Sequence, residues 1–186
     1  MRFTLFSTSM ALLMSSVRAC MRAVIVGNSG SGKTWLAKRL AEKKATPVLH
    51  LDDIFWLPGG FNEKRDTAEV SRIIDTARAA SDWIVEGVYG NLAHQFLQSA
   101  NTLIWLELPW VVCQQRLELR GSESKAHMDR KQSEAGLREL VQWAENYSSR
   151  QGSSGHAAHL ALFESFKGQR LRLCSESQVL EYLSAT

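Results

Sequence analysis

Short apolar runs alternate with amphipathic stretches along most of the chain. The run at residues 23–26 is wholly apolar and ends at Gly27, which is typical of a central parallel strand buried on both faces. Further strands are predicted at 47–51, 83–85, 102–108 and 171–174. Helices are predicted at 33–44, 66–80, 92–98, 109–120, 135–147, 159–166 and 177–183. Strands that alternate with helices predict an α/β fold, in which a parallel sheet carries helices on both faces.

The first twenty residues follow a different pattern. Arg2 precedes an apolar stretch that Ser and Thr interrupt, and small residues follow near Ala19, so the segment resembles a secretory signal. It is too short and too hydroxylated for a membrane span. We favour a translation start placed too early, because Met21 leads directly into the first strand. We therefore expect residues 1–20 to be poorly ordered and residues 21–186 to form a single domain, with a secreted protein as the alternative.

Composition and charge are those of an ordinary globular protein. The 186 residues are 45% hydrophobic and 22% charged, which excludes a disordered or low-complexity chain. The formal net charge is +3, and Arg2 and Arg18 contribute two of those charges. This small excess predicts neither a nucleic-acid nor a membrane partner. The three cysteines and five histidines lack metal-ligand spacing, and the cysteines favour reduced thiols in a cytoplasmic protein.

A glycine-rich segment directly follows the first strand. Residues 27–34 read GNSGSGKT, match the pattern G-x-x-x-x-G-K-[ST] and stand between a strand and a helix. The backbone N–H groups of such a loop converge on phosphate oxygens, and the helix N-terminus adds positive charge. In this motif the lysine reaches the β- and γ-phosphates and the final hydroxyl binds Mg²⁺. The segment therefore predicts bound ATP and Mg²⁺, held by Gly27, Asn28, Ser29, Gly30, Ser31, Gly32, Lys33 and Thr34.

Carboxylates follow the next two strands. Asp52 and Asp53 come after the second strand, and Glu86 ends the third. Ligands of open parallel sheets bind beyond the carboxyl ends of the strands, so we expect these side chains beside the triphosphate. Carboxylates there can bind Mg²⁺, directly or through water, or accept a proton from an attacking hydroxyl. The predicted metal-site residues are Thr34, Asp52 and Glu86, and a role for Asp53 is left open.

Arg116 and Arg120 are four positions apart and share one face of a predicted helix. Phosphoryl transfer depends on positioning and on neutralising charge, and arginines beside a closing loop suit both tasks. Stabilisation of the helix C-terminus is the alternative interpretation. The predicted catalytic residues are Lys33, Asp52, Glu86, Arg116 and Arg120.

Two polar stretches lack helical or strand periodicity. Residues 121–132 follow the two arginines directly and are predicted to form a mobile lid that excludes water, with a role for Arg130 left open. Residues 148–155 read SSRQGSSG and are predicted to be a soft connection between helices.

Aromatic residues follow the carboxylates. Phe55 is interpreted as a core residue, Trp56 as either core or the wall of an acceptor pocket, and Tyr89 as a candidate for acceptor contact. Arg65 could bind an anionic acceptor, but a solvated charge before a helix is the favoured interpretation.

Four stretches carry a resemblance to a known family. MRAVIVGNSGSGKT, HLDDIFWLPGG, WIVEGVYG and LIWLELPWVVCQQRLELR, within about residues 21–120, resemble the adenylate-kinase-like P-loop proteins called DNA topology modulation proteins. The resemblance implies a nucleotide-kinase-like core of five parallel strands in the order 2-3-1-4-5 with a short lid. It also implies ATP at residues 27–34, an acceptor-side aspartate at Asp52 and lid arginines at Arg116 and Arg120. The chain departs from the family at three positions. The family often has Asn at the position of Val88 and Asp at the positions of Asn101 and Glu107.

Two functions are compatible with these features. The first is a kinase that transfers the γ-phosphoryl group of Mg·ATP to an unidentified small-molecule or nucleotide acceptor. The second is a regulatory ATPase or nucleotide-binding protein linked to DNA topology. The chain shows no basic patch or base-stacking array, so direct nucleic-acid binding is not expected.

Overall fold

A computed structural model of the chain describes residues 20–58, 63–121 and 130–186, with side chains from residue 134 onward in the last range. Some sequence-based expectations lie outside the described residues. These are the N-terminal segment up to residue 19, residues 122–129 of the expected lid and the side chain of Arg130.

Five parallel strands form one sheet in the order β2-β3-β1-β4-β5. The strands are β1 (Arg22–Gly27), β2 (Val48–His50), β3 (Trp83–Gly87), β4 (Thr102–Leu106) and β5 (Gln169–Leu173). This confirms the predicted α/β fold, the parallel sheet and the strand order. Strand β1 is central because its apolar run can be buried on both faces.

Helices connect these strands throughout the described part of the chain. They are α1 (Lys33–Lys44), α2 (Leu51–Phe55), α3 (Thr67–Arg78), α4 (Gly90–Leu97), α5 (Trp110–Arg120), α6 (Arg130–Glu145), α7 (His156–Ser165) and α8 (Glu176–Ala185), with a 3₁₀ turn at Asn146–Ser148. No helix in this part of the chain has the length and apolar character needed to cross a bilayer.

The second strand is shorter than predicted. It ends at His50, and Leu51 begins the five-residue helix α2 instead of completing the strand. Leu51 and Ile54 are both buried and lie three positions apart, so a helical turn places both in the core. Gly87 permits this packing, because a Cβ atom there would come within 2.5 Å of the Leu51 Cβ. As a result, Asp52 lies in the first turn of a helix and not in an open loop.

Two cores lie on opposite faces of the sheet. Ala23 and Ile25 of β1 pack with residues of α1 and α8, whereas Val24 and Val26 pack with residues of α3, α4 and α7. Successive side chains of a strand point to opposite faces, so one apolar run contributes to both cores. This double burial fixes the end of β1, from which the glycine-rich segment begins.

A buried hydrogen-bonded network joins β4, the 3₁₀ turn and α7. The Trp105 indole N–H donates to the Tyr147 hydroxyl at 3.1 Å, and that hydroxyl donates to His159 Nδ1 at 2.6 Å. His159 Nε2–H donates to the Val88 carbonyl at 3.0 Å, which identifies the neutral tautomer. Burial lowers the pKa of His159 to about 4. The network therefore needs an uncharged His159, and it holds α7 against the end of β3.

We expect the stability of the protein to fall as the pH drops from about 6.5 to about 4. The unfolded His159 binds a proton near its ordinary pKa of 6.5, whereas the folded one does so only near pH 4. Protons therefore favour the unfolded state in this window, and the shift corresponds to about 3 kcal/mol of unfolding free energy by pH 4. Urea unfolding at a series of pH values measures this loss.

The matched variants for this measurement are His159→Gln and His94→Gln, since His94 is exposed on α4. His159→Gln should lose less stability over the window than wild type, whereas His94→Gln should follow wild type. If wild type and His159→Gln lost stability in parallel, the neutral His159 would not be the cause.

The segment expected to be a soft connection has specific contacts. The N–H of Gly90, at the start of α4, donates to the Ser153 carbonyl at 2.9 Å. The Arg150 guanidinium donates to the Ser154 carbonyl at 2.9 Å. Gly155 packs so closely that a Cβ atom there would come within 2.1 Å of the Arg150 carbonyl oxygen. Ser153 thus ties this segment to the start of α4, and internal contacts hold the rest of it, so the prediction of a soft connection is corrected.

Candidate functional site

The carboxyl ends of β1, β2 and β3 meet at one edge of the sheet. Strand β1 leads into residues 27–34, which we call the phosphate cradle. Strand β2 pairs with β3, and His50 is the register partner of Glu86. The sheet therefore brings together groups that are far apart in sequence.

The cradle has a backbone that glycine makes possible. Gly30 and Gly32 have φ angles of 78° and 94°, in the left-handed region that side chains disfavour. At Gly30 there is also no space, because a Cβ atom would lie 2.3 Å from the Cys113 carbonyl oxygen. The Asn28 side chain anchors the cradle by donating to the Ala144 carbonyl at 2.8 Å.

Lys33 belongs to the cradle and is the first residue of α1. It is buried, and its Nζ donates to the Asn28 carbonyl at 2.9 Å. Burial lowers the pKa of Lys33, and the nearby charges of Glu86 and Asp52 oppose that shift. The ammonium thus contacts the loop that would hold an anion, and it is close enough to two carboxylates to feel their charge.

Two structural observations indicate that the cradle fits a phosphate group. The Ser31 hydroxyl is buried and has no hydrogen-bond partner among the described residues. The N-terminus of α1 has no side-chain cap hydrogen bond and no acidic residue in its first turn. Unsatisfied donors at a helix N-terminus attract anions, so a phosphate group would satisfy the cradle.

Thr34, the last residue of the cradle, and Glu86 bring two oxygen-bearing side chains together. The Thr34 hydroxyl donates to Glu86 Oε1 at 2.8 Å, and His50 Nδ1–H donates to the same oxygen at 2.7 Å. Burial alone would raise the pKa of Glu86, but the hydrogen bond from His50 and the charge of Lys33 hold it below its ordinary value. The same hydrogen bond raises the pKa of His50. Glu86 is therefore an ionised carboxylate at neutral pH.

This pair fits Mg²⁺, which prefers oxygen ligands and keeps several waters. No group of three or more potential metal-binding His, Cys, Asp or Glu side chains occurs among the described residues. The two oxygens suit an ion whose other ligands are phosphate oxygens and water.

Asp52 is held by a second set of contacts. The Tyr89 hydroxyl donates to Asp52 Oδ1 at 3.1 Å, and the Trp56 indole N–H donates to the Tyr89 oxygen at 2.8 Å. Phe55 stacks on Tyr89 with ring centroids 4.7 Å apart. Burial raises the pKa of Asp52, against the opposing charge of Lys33. The carboxylate of Asp52 is thus oriented and more basic than an exposed aspartate.

The arginines of α5 take different positions. Arg116 donates to the Ser31 carbonyl at 3.0 Å and pairs with Glu176 at 2.5 Å. Arg120 is exposed in the last turn, and its charge contributes to lowering the pKa of Lys33. Arg116 therefore borders the cradle directly, whereas Arg120 acts on it through its charge.

One cavity adjoins the cradle, and another adjoins Tyr89, the hydrogen-bond partner of Asp52. The cradle cavity, of about 400 Å³, is lined by Ser31, Gly32, Trp35, Arg116, Glu176 and Leu180, among others. The aromatic cavity, of about 420 Å³, is lined mainly by Phe55, Trp56, Lys64, Tyr89, Trp143 and Arg150. Each offers space for part of a ligand.

The structure brings most of the predicted site residues together. Lys33 lies close enough to Asp52 and Glu86 for their charges to affect its pKa, and Thr34 contacts Glu86. Asp53 is exposed. Arg65 pairs with Glu69 at 2.6 Å, so its charge is neutralised beside α3 and it is not a free solvated cation.

Sequence reasoning missed two residues of this region. His50 stands at the end of a strand, but its contact with Glu86 depends on β2 being the neighbour of β3. Arg150 lies in the segment expected to be soft, and no local pattern marks it as part of a cavity.

No family model matches the chain, and neither does any curated protein. The comparisons therefore do not support the name DNA topology modulation protein. A shikimate kinase from Acinetobacter baumannii in complex with shikimate is similar in structure, with 17% identity over 82% of this chain and 98% of that one, at a TM-score of 0.46. A gluconokinase from Sinorhizobium meliloti 1021 is 14% identical over 90% and 94%, with a TM-score of 0.49. This level of similarity assigns no function to the chain.

Proposed function

We propose that this protein is an ATP-dependent phosphotransferase, which transfers the γ-phosphoryl group of ATP to a hydroxyl group of a small molecule. One observation carries the proposal: two carboxylates at one sheet edge have different partners. Glu86 accepts from Thr34, beside the cradle, whereas Asp52 accepts from Tyr89, beside the aromatic cavity. An ATPase needs the first arrangement, and a kinase needs both.

The cradle and its cavity support the ATP side of the proposal. The N–H groups of residues 27–34 and the Lys33 ammonium suit the triphosphate. The cradle cavity adjoins them through Ser31 and Gly32, and its Trp35 and Leu180 side chains offer apolar surface for a nucleoside base. Arg116 forms part of the wall, so we propose that it binds the nucleotide at this position.

Thr34 and Glu86 are proposed to hold Mg²⁺. When bound, the ion neutralises charge on the β- and γ-phosphates. The sequence also predicts a metal role for Asp52, which stays a prediction. The hydrogen bond from Tyr89 favours placing Asp52 on the acceptor side.

In the proposed reaction, the acceptor hydroxyl gives its proton to Asp52 as its oxygen bonds to the γ-phosphorus. The bond from that phosphorus to the β–γ bridging oxygen breaks, and the electron pair leaves with ADP. The pKa of Asp52, raised by burial, makes the carboxylate a better proton acceptor. Lys33 stabilises the charge of the phosphoryl group during transfer, and Arg120 adds positive charge nearby.

We expect the purified protein to release ADP from Mg·ATP only when an acceptor is present. A coupled assay with pools of nucleoside monophosphates, polyols and sugar acids, including shikimate and gluconate, would measure this release. Release that responds only to DNA or to a protein partner would favour a regulatory ATPase. If Mg·ATP showed no saturable binding, the proposal would be wrong.

Because ATP is a cytosolic resource, we further propose that the protein acts in the cytoplasm.

A further inference from the structure

The aromatic cavity combines two kinds of surface. Phe55, Trp56, Tyr89 and Trp143 give it flat apolar walls, and Lys64 and Arg150 are its basic residues. It does not contain a carboxylate among its described lining residues. An uncharged sugar or polyol would not need this positive charge, so the two cations indicate a ligand that carries negative charge.

Arg150 is held in place without an acidic partner. Its guanidinium lies 3.4 Å from the centroid of the Trp143 ring and donates to the carbonyls of Ser154 and Trp143. No carboxylate pairs with it in the part of the chain that the structure describes. Burial lowers the pKa of Arg150, as expected for a cation that has lost water without gaining an anion. One ring contact and two hydrogen bonds therefore fix the guanidinium at the cavity, and no described carboxylate neutralises its charge.

Lys64 lines the same cavity and is exposed. Its ammonium lies 5.5 Å from the centroid of the Phe55 ring, and no described carboxylate pairs with it. Arg65, next to it in sequence, pairs instead with Glu69. Lys64 thus keeps its positive charge at the cavity, whereas Glu69 neutralises the charge of Arg65.

Tyr89 connects this cavity to the transfer site. Its ring lines the cavity, and its hydroxyl donates to Asp52 Oδ1 at 3.1 Å. Asp52 does not itself line the cavity, but its carboxylate lies one hydrogen bond from the lining residue Tyr89. A ligand that contacts both Tyr89 and Asp52 would have its other end beside Lys64 and Arg150.

We propose that the acceptor is an oxyanion: a hydroxyl compound that also carries a carboxylate or a phosphate monoester. Its anionic group binds Arg150 and Lys64, its apolar face lies against the aromatic walls, and its hydroxyl reaches Asp52. An arginine fork matches two oxygens of either anion. This inference rests on the proposed function, because that function makes the cavity an acceptor site.

The test uses three probes of similar shape: benzoate, phenyl phosphate and the neutral benzamide. Isothermal titration at constant ionic strength measures their binding. The change in tryptophan fluorescence that is lost in a Trp143→Phe variant reports occupancy of the cavity. We expect both anions to bind with dissociation constants in the millimolar range and benzamide to bind about tenfold more weakly. The tighter of the two anions indicates whether the natural group is a carboxylate or a phosphate.

Arg150→Gln should weaken binding of the anions about tenfold and leave benzamide binding unchanged. The matched control is Arg170→Gln. Arg170 also donates to two carbonyls and lies 5.4 Å from the Phe163 ring centroid, but it is not among the residues that line the cavity. Arg170→Gln should bind all three probes like wild type. Lys64→Gln, at an exposed position, provides a second test should Arg150→Gln fail to fold, and it should weaken the anions but not benzamide.

Equal affinity of wild type for benzoate, phenyl phosphate and benzamide would overturn the inference, as would absence of anion binding. A folded Arg150→Gln variant with wild-type anion affinity would overturn it too. Titration of Mg·ATP into the same samples separates the two proposals. If Mg·ATP binds and the anions do not, the acceptor class is wrong but the phosphotransferase proposal stands; if Mg·ATP does not bind, the proposed function itself fails.

Discussion

Asp52→Asn is expected to lower kcat for phosphoryl transfer by about 10²- to 10⁴-fold, the contribution typical of a positioned general base. The amide keeps the size of the side chain and can still accept from the Tyr89 hydroxyl, but it cannot take a proton from the acceptor. ATP affinity should change little, because the phosphate cradle does not include this residue. Single-turnover transfer and equilibrium binding of Mg·ATP measure the two effects separately.

The matched control is Asp53→Asn. Asp53 is the next residue of α2 and is exposed, so the same loss of one negative charge occurs outside the site. It should transfer phosphate at close to the wild-type rate. An Asp52→Asn variant as fast as wild type would remove Asp52 from the mechanism, and equal defects in both variants would indicate a general charge effect.

Lys33→Ala is expected to lower kcat/KM by about 10³-fold. Removing a single hydrogen-bond donor that stabilises transition-state charge typically lowers the rate by about 10²- to 10³-fold. Lys33 supplies a full positive charge, so we expect a loss at the upper end of this range. Binding of Mg·ATP should weaken as well, because Lys33 supplies a buried ammonium within the cradle. Steady-state kinetics gives the loss in turnover, and titration calorimetry gives the loss in affinity.

Lys38→Ala is the control for this experiment. Lys38 lies on the same helix, α1, but is exposed, so its loss changes the net charge equally and leaves the cradle intact. We expect wild-type kinetics from it. Should Lys33→Ala retain turnover within a few-fold of wild type, the cradle would not be the site of ATP hydrolysis or transfer.

Local pattern was sufficient to predict most of the fold. The wholly apolar run at 23–26 suits an interior strand of an α/β sheet, where both of its faces are covered. The glycine-rich segment also determines its own backbone conformation, because Gly30 and Gly32 adopt left-handed φ values that few other residues tolerate. The end of β2 was mispredicted because Leu51 is apolar and suits either a strand or a buried helical turn.

The sequence by itself determined the strand-and-helix order, the phosphate cradle and which carboxylates leave the ends of strands. Each depends on residues within a few positions of one another, where backbone geometry and hydrophobic period act directly. Only the tertiary structure decided that His50 meets Glu86, that Tyr89 orients Asp52 and that Arg150 enters the aromatic cavity. Those contacts join segments tens of residues apart, and they exist because sheet register and the contact of Ser153 with the start of α4 bring distant groups together.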